Sequence, residues 1–278
     1  MSQHFGGPWT ELKLDVLKRY LESYVKALKN TPFHKVYIDS FAGAGTVETK
    51  TGRVLAGSAR IALDTEGFDE YVFIEREEDY LNALQELCKR YPGKNVTLLS
   101  GDANRQVKKW INEVAQTQWM RGVAFFDPFG MELEWDTLQA VAQTRVLDVW
   151  YWFSLSGLYR QTPRSLRKIS DDKIASVTKV FGTDQWLTDF YSEDPQLSWF
   201  EETAEYVRAD VQYLEDWARR RLETIFPAVA KPLRLPLTGP PRYSFFFAVS
   251  NPDPKAQGLA MRIATHILGT KDASWRGR

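Results

Sequence analysis

The sequence predicts an α/β fold with a doubly wound, mostly parallel sheet, and three observations lead there. Short apolar segments rich in β-branched and aromatic residues alternate with amphipathic helical segments from Leu12 to Phe153. Small or acidic residues stand directly after four of those strand-like segments, where open α/β sheets place their ligands. The chain has 278 residues, a length that fits one large α/β core.

Leu12, Val16, Leu17, Tyr20, Leu21, Tyr24, Val25 and Leu28 recur at steps of three and four and predict a helix with one apolar stripe, stopped at Asn30-Thr31-Pro32. The nearly continuous apolar run Val36–Phe41 then reads as a strand buried on both faces. Ala42–Gly45 makes a small-residue turn. A helix from Gly57 to Asp64 follows, then strand Tyr71–Glu75, helix Glu77–Arg90, strand Val96–Leu99 and a helix from Asn104 to about Gln116. Strand Val123–Phe126, a helix near Trp135–Gln143 and strand Val146–Phe153 complete five strands separated by helices. Gly157–Phe226 reads as helical and rich in aromatics, an insertion or subdomain within a single domain spanning residues 1–278. Leu233–Leu237 and Tyr243–Ser250 read as two further strands joined by the turn Thr238-Gly-Pro-Pro241, an antiparallel hairpin at one sheet edge.

Composition narrows the function classes. Hydrophobic residues make up 44% and charged residues 26%, the balance of an ordinary globular protein. The 36 basic and 36 acidic side chains cancel, so binding to nucleic acid or an anionic membrane has to rest on a local patch. A lone cysteine, Cys88, forbids an intrachain disulfide and suits a reducing, cytoplasmic setting. His4, His34 and His266 lie far apart and no Cys/His pair has zinc spacing, so no metal is expected. No apolar run approaches the roughly 18 residues of a membrane span, so no membrane association is expected.

Four motifs carry candidate chemistry. Asp39-Ser-Phe41-Ala-Gly43-Ala-Gly45 ends the first strand, and glycine there lets the backbone turn sharply and approach a ligand closely. A Gly-rich turn joining strand to helix has the same composition. A dinucleotide fingerprint is the weaker reading, because Glu48 stands where its third glycine would be. Glu75 ends the second strand and can accept both hydroxyl hydrogens of a ribose; its bland alternative is a solvated charge opening the acidic run to Asp79. Asp39 and Glu75 stand further apart than the roughly 20 residues of a compact dinucleotide unit. The polar insertion Thr46–Ala56 accounts for the excess and is read as a lid. Gly101-Asp102 follows the third strand, where Asp102 can contact a base or cap the next helix. Asp127-Pro128-Phe129-Gly130 follows the fourth, as a polar anchor for an acceptor or a tight Asp-Pro turn. Gly57-Ser58 lacks the setting of a nucleophile elbow, and Cys88 reads as a packing residue.

The first motif resembles the D-x-F-x-G-x-G signature of class I methyltransferases, and Asp127-Pro128-Phe129 resembles their D-P-P-Y motif with the second proline and final aromatic replaced. The resemblance implies a Rossmann-like sheet of seven strands ending in an antiparallel pair. It also implies S-adenosylmethionine held by Asp39, Phe41, Gly43, Gly45, Glu75, Gly101 and Asp102, with Asp127, Pro128 and Phe129 engaging the methyl acceptor. The segments Leu14–Leu21, Tyr37–Gly45, Gly57–Leu63, Phe73–Glu75, Gly101–Asn104 and Phe126–Met131 together resemble the bacterial three-Cys-motif partner family (TcmP). That likeness implies a neighbouring partner with a Cys-rich motif of radical-S-adenosylmethionine type.

Arg160, Arg164, Arg167, Lys168, Lys173 and Lys179 surround Tyr159 and can grip a nucleic acid, although Asp171 and Asp172 interrupt them and a solvated helical face has the same pattern. Trp186, Phe190, Tyr191, Trp199 and Phe200 are expected to pack this part onto the sheet. The expected function is therefore a methyltransferase of unspecified acceptor. A catalytically silent binding or partner protein of the same fold is the alternative, and a nucleic-acid-binding protein the third reading.

Overall fold

The computed structural model describes residues 3–4, 8–48, 52–114, 119–193 and 206–275. Strand β1 (Gln3–His4) precedes helix α1 (Pro8–Ala27), which leads into β2 (His34–Asp39). Next come β3 (Thr46–Glu48), β4 (Val54–Ala56), α2 (Ser58–Asp64), β5 (Glu70–Glu75), α3 (Glu78–Cys88), β6 (Val96–Ser100) and α4 (Ala103–Val114). Strand β7 (Met120–Phe126), α5 (Trp135–Thr144), β8 (Leu147–Ser154) and α6 (Leu155–Gln161) follow. The chain continues through α7 (Asp171–Phe181), α8 (Trp186–Phe190), β9 (Tyr191–Glu193), β10 (Tyr206–Arg208) and α9 (Val211–Glu223). Strands β11 (Ala228–Val229), β12 (Leu233–Leu235) and β13 (Tyr243–Val249) precede the last helix, α10 (Pro254–Trp275).

The main sheet has eight strands among the described residues, in the order β11-β13-β8-β7-β2-β5-β6, with β12 also paired to β13. Strands β6, β5, β2, β7 and β8 are parallel, and β13 enters antiparallel beside β8. The fold is thus the expected mixed α/β one with a mainly parallel sheet. The expected hairpin is β12–β13, with β13 inserted inside the sheet. The outer edge of β13 is shared by β12, opposite Tyr243–Phe245, and β11, opposite Ala248–Val249.

Alternation along the strands sorts the core into two layers. Val36, Ile38, Ala124, Phe126, Val149 and Phe153 face α4, α5 and the segments after β8. Tyr37, Tyr71, Phe73, Phe125, Trp150 and Phe247 face α1, α2, α3 and α10. Asp39, Glu75 and Asp148 share the parity of this second set, so all three carboxylates belong to the α1/α10 side of the sheet.

Two regions differ from the sequence reading. Thr46–Ala56 forms a short antiparallel pair, β3 with β4, and β1 adds to β3 in parallel; Thr49–Thr51 lie outside the described residues. The segment after Gly157 is not all helical. Strands β9 and β10 pair antiparallel within it, and Ser165 bridges to Val207. Three-residue strands are too short to show period-2 alternation in sequence. Trp186, Phe190 and Tyr191 are buried, with Phe190 against Phe181, Trp186 and Trp217, whereas Trp199 and Phe200 lie outside the described residues.

Candidate ligand site at the carboxyl ends of the strands

Strand order reverses between β2, which leads outward to β5 and β6, and β7, which leads to β8. Crevices at such a switch point are the ligand sites of open α/β sheets. The register places Asp39 opposite Phe125, and the Ser40 N–H donates to the Phe125 carbonyl at 3.1 Å. Asp127 therefore emerges two residues beyond the partner of Asp39, on the other side of the switch.

Asp39 is fully buried. Tyr37, two residues earlier on the same face, donates its hydroxyl to Oδ2 at 3.2 Å. Oδ1 is buried with no hydrogen-bond partner, as is the hydroxyl of neighbouring Ser40. Burial pushes the Asp39 carboxyl up to about 7 and the charge of Asp127 adds to the rise, while the nearby Ser58 hydroxyl, the Phe41 N–H and the Tyr37 hydroxyl oppose it. A carboxylate with an orphan oxygen in such a place suits a ligand that brings a donor, above all a cationic one.

The glycine turn is fixed from two sides. Glu75 Oε2 accepts the Gly43 N–H at 2.8 Å, while Oε1 accepts the N–H groups of Arg76 at 2.8 Å and Glu77 at 2.9 Å. Three of roughly four lone-pair positions on Glu75 are thereby used, so it ties the turn to the start of α3 and has room for about one more bond. Gly45 has φ of 73°, and a Cβ there would collide with Leu87 of α3. A Cβ on Gly57 would lie 2.9 Å from the Gly45 carbonyl carbon. Close backbone packing thus requires glycine at 57, the left-handed backbone and the Leu87 side chain both favour it at 45, and Gly43, also left-handed at φ 60°, turns the chain between Glu75 and the sheet.

Gly101, at φ 128°, follows β6, and its N–H bonds the Glu75 carbonyl at 3.0 Å, which links the third strand tip to the second. Exposed Asp102 accepts the Arg105 N–H at 3.0 Å and caps α4. This capping is compatible with ligand contact through its free face. Phe41 is half-buried, Pro128 buried, and Phe129 is 50% exposed at the rim.

One residue escaped the sequence reading. Lys13 of α1 is buried, forms an ion pair with Asp127, and lies 4.8 Å from the centre of the Trp152 ring. The signal existed: Lys13 stands three and four residues before Val16 and Leu17, on the apolar stripe of α1, where an unpaired lysine would be costly. The side chain of α1 thus reaches the tip of β7 and occupies one oxygen of the carboxylate expected to engage an acceptor.

The basic segment is partly committed to the chain's own groups. Lys179 pairs with Glu134 at 2.9 Å, and the Arg208 guanidinium covers the Tyr159 ring at 4.3 Å. Arg160, Arg164, Arg167 and Lys168 are exposed. Cys88 is half-buried in the last turn of α3, and burial raises its thiol pKa, which suits packing rather than attack. Among the described residues no cluster of three metal-ligating side chains occurs, and no helix is long and apolar enough to cross a membrane.

No protein-family model and no curated protein matches the chain. Solved structures similar to it include a Legionella pneumophila protein assigned to DUF519, 13% identical over 92% of either chain with a TM-score of 0.48. Trm1 from Pyrococcus horikoshii, solved with S-adenosyl-L-methionine, is 14% identical over 97% of this chain and 78% of its own, with a TM-score of 0.43. Spermidine synthase from Thermotoga maritima is 14% identical over 87% of this chain and 62% of its own, with a TM-score of 0.41. At such identities and scores these likenesses carry no argument about chemistry, and the fold rests on the strand order above.

Proposed function

We propose that this chain is an S-adenosylmethionine-dependent methyltransferase that works beside a three-Cys-motif partner. The observation that supports this most is the buried, unpartnered oxygen of Asp39 next to the unpartnered Ser40 hydroxyl, at the switch point and beside the Gly43 turn. An amino-acid ammonium is the donor that such a pair fits, and S-adenosylmethionine carries one. Asp39 would hold that ammonium, Phe41, Gly43 and Gly45 would border the methionine part, Glu75 would take a ribose hydroxyl, and Gly101 and Asp102 would border the base. When bound, the cofactor supplies an electrophilic methyl group on a sulfonium. Asp127, the Pro128 carbonyl and the Phe129 ring would orient the acceptor, so that the gain comes from positioning. The β3–β4 hairpin would act as a lid. In that case saturating S-adenosylhomocysteine should slow tryptic cleavage at Arg53, and unchanged cleavage would remove the lid.

The Lys13–Asp127 pair favours a second reading, a silent binding protein that keeps the cofactor, because Asp127 is engaged by the chain itself. Calorimetry with S-adenosylhomocysteine decides whether the pocket exists. Binding that weakens by about a hundredfold in Asp39→Ala is the expected result, equal to roughly 3 kcal/mol. No binding to the parent chain, or an unchanged affinity in the variant, rejects the methyltransferase reading. Methyl transfer to RNA, protein or small-molecule pools, tested with the partner present, separates enzyme from silent binder.

A further inference from the structure

A cavity lies at the opposite, amino ends of the parallel strands, between α1 and α10. It has a volume of about 340 Å³, within the range of small-molecule sites. Its walls are apolar, from Leu28, Phe33, Val249 and Ile263 among others, and small residues Ala27, Ala256 and Ala260 on the two helices keep the space open. Its floor is Asp148 of β8, a carboxylate in a strand otherwise apolar from Leu147 to Phe153.

Asp148 is more than nine-tenths buried. Tyr20 of α1 donates to its Oδ2 at 2.6 Å. The residue lines the cavity, so its carboxylate belongs to the cavity wall. Arg121 and Asp253 also border the space. Arg121 donates to the Met120 carbonyl and stacks 4.2 Å from the centre of the Phe33 ring, while Asp253 caps α10 at the mouth through the Ala256 N–H. One cation and two carboxylates thus line an otherwise mostly apolar chamber.

We infer that this cavity is a binding site for a small organic ammonium on an apolar body, with Asp148 as its counter-ion. The warrant is desolvation. A carboxylate in an apolar wall is costly when ionised, and a ligand that brings both a positive charge and a hydrocarbon surface removes that cost while filling the void. The state of the free site agrees: burial pushes the Asp148 carboxyl up to about 7, against the Tyr20 hydrogen bond and the Arg121 charge. Tyr20 and Tyr24, the other titratable groups facing it from α1, are raised well above their ordinary value by burial and stay neutral donors. The site stands apart from the proposed methyl-transfer site, and neither reading depends on the other.

Phenethylamine and phenethyl alcohol, titrated into the full chain by calorimetry at about pH 8, test the proposal. The amine is expected to bind at least about tenfold more tightly than the alcohol. Its affinity should fall toward about pH 5 as Asp148 protonates. Asp148→Asn should reduce the amine to the level of the alcohol, and Ala256→Trp, which narrows the mouth, should abolish both. If the Asn variant does not fold, the pH series on the parent chain and the Trp variant still decide. Equal binding of amine and alcohol, no binding of either, a pH-independent affinity, or displacement by S-adenosylhomocysteine would overturn the assignment.

Discussion

The two ends of the sheet each hold a buried aspartate raised to about 7, and each aspartate takes a hydroxyl from a buried tyrosine. The resemblance ends there. Around Asp39 the neighbours are polar: the Ser58 hydroxyl, the Phe41 N–H, the charge of Asp127, and beyond it Lys13. Around Asp148, beyond the Tyr20 hydroxyl and the Arg121 charge, they are mostly alkyl and aromatic groups with open space beside them. Backbone explains the contrast. Parallel strands end in turns whose N–H groups converge at the carboxyl edge, as Gly43, Arg76 and Glu77 converge on Glu75, whereas the amino edge is closed by the side chains of two helices. A carboxylate among turns becomes part of a polar network; one beneath two helices has few polar partners, here Tyr20 and the charge of Arg121.

The largest expected effect concerns pH. Both carboxyls have a folded-state pKa near 7, above the ordinary 3.8. Their favourable contribution is therefore complete below about pH 4 and is lost as pH rises through about 7. At about 1.4 kcal/mol per unit, each ionised group costs the unliganded fold on the order of 4 kcal/mol at most. Asp148→Asn should accordingly raise stability toward urea at about pH 8 and change it little near pH 4. A variant equally weakened at both pH values would show that ionisation of Asp148 does not cost the folded chain stability.

Gly45→Ala comes next. Its left-handed backbone and the collision with Leu87 should cost about 2–3 kcal/mol, and Leu87→Ala in the same chain should recover part of that. Full recovery would mean that packing alone demands glycine there; none would mean that the backbone conformation does. Lys13→Met should cost about 1–2 kcal/mol, because Asp127 loses its partner while 27% of its side chain remains in water. The same change should weaken S-adenosylhomocysteine binding by raising the proton affinity of Asp39 through the unpaired Asp127. An unchanged affinity would separate the two aspartates. The smallest effect is that of Arg53→Ala, whose pair with Glu11 is 68% and 46% exposed and should change stability by under about 0.5 kcal/mol.

The five parallel strands could be read from the chain because each is a near-continuous apolar run between helical periodicities, and both signals are local. Asp39, Glu75, Asp102 and Asp127 were nameable because they end those runs. Their partners were not. That Glu75 holds Gly43, that Gly45 is packed by Leu87, and that Asp127 meets Lys13 of the first helix are contacts between segments far apart in the chain. The strands β9 and β10 were missed because pairing, not composition, makes them strands.

By itself the sequence determined the class of fold, the number of parallel strands and the acids and glycines at their tips, since hydrophobic period and turn chemistry act over a few residues. Tertiary structure alone decided which oxygens are satisfied and which are not. Burial and hydrogen-bond partnership depend on what the folded chain brings alongside a group. That is why Asp39 and Asp148, alike as letters, face a polar crevice in one case and an apolar chamber in the other.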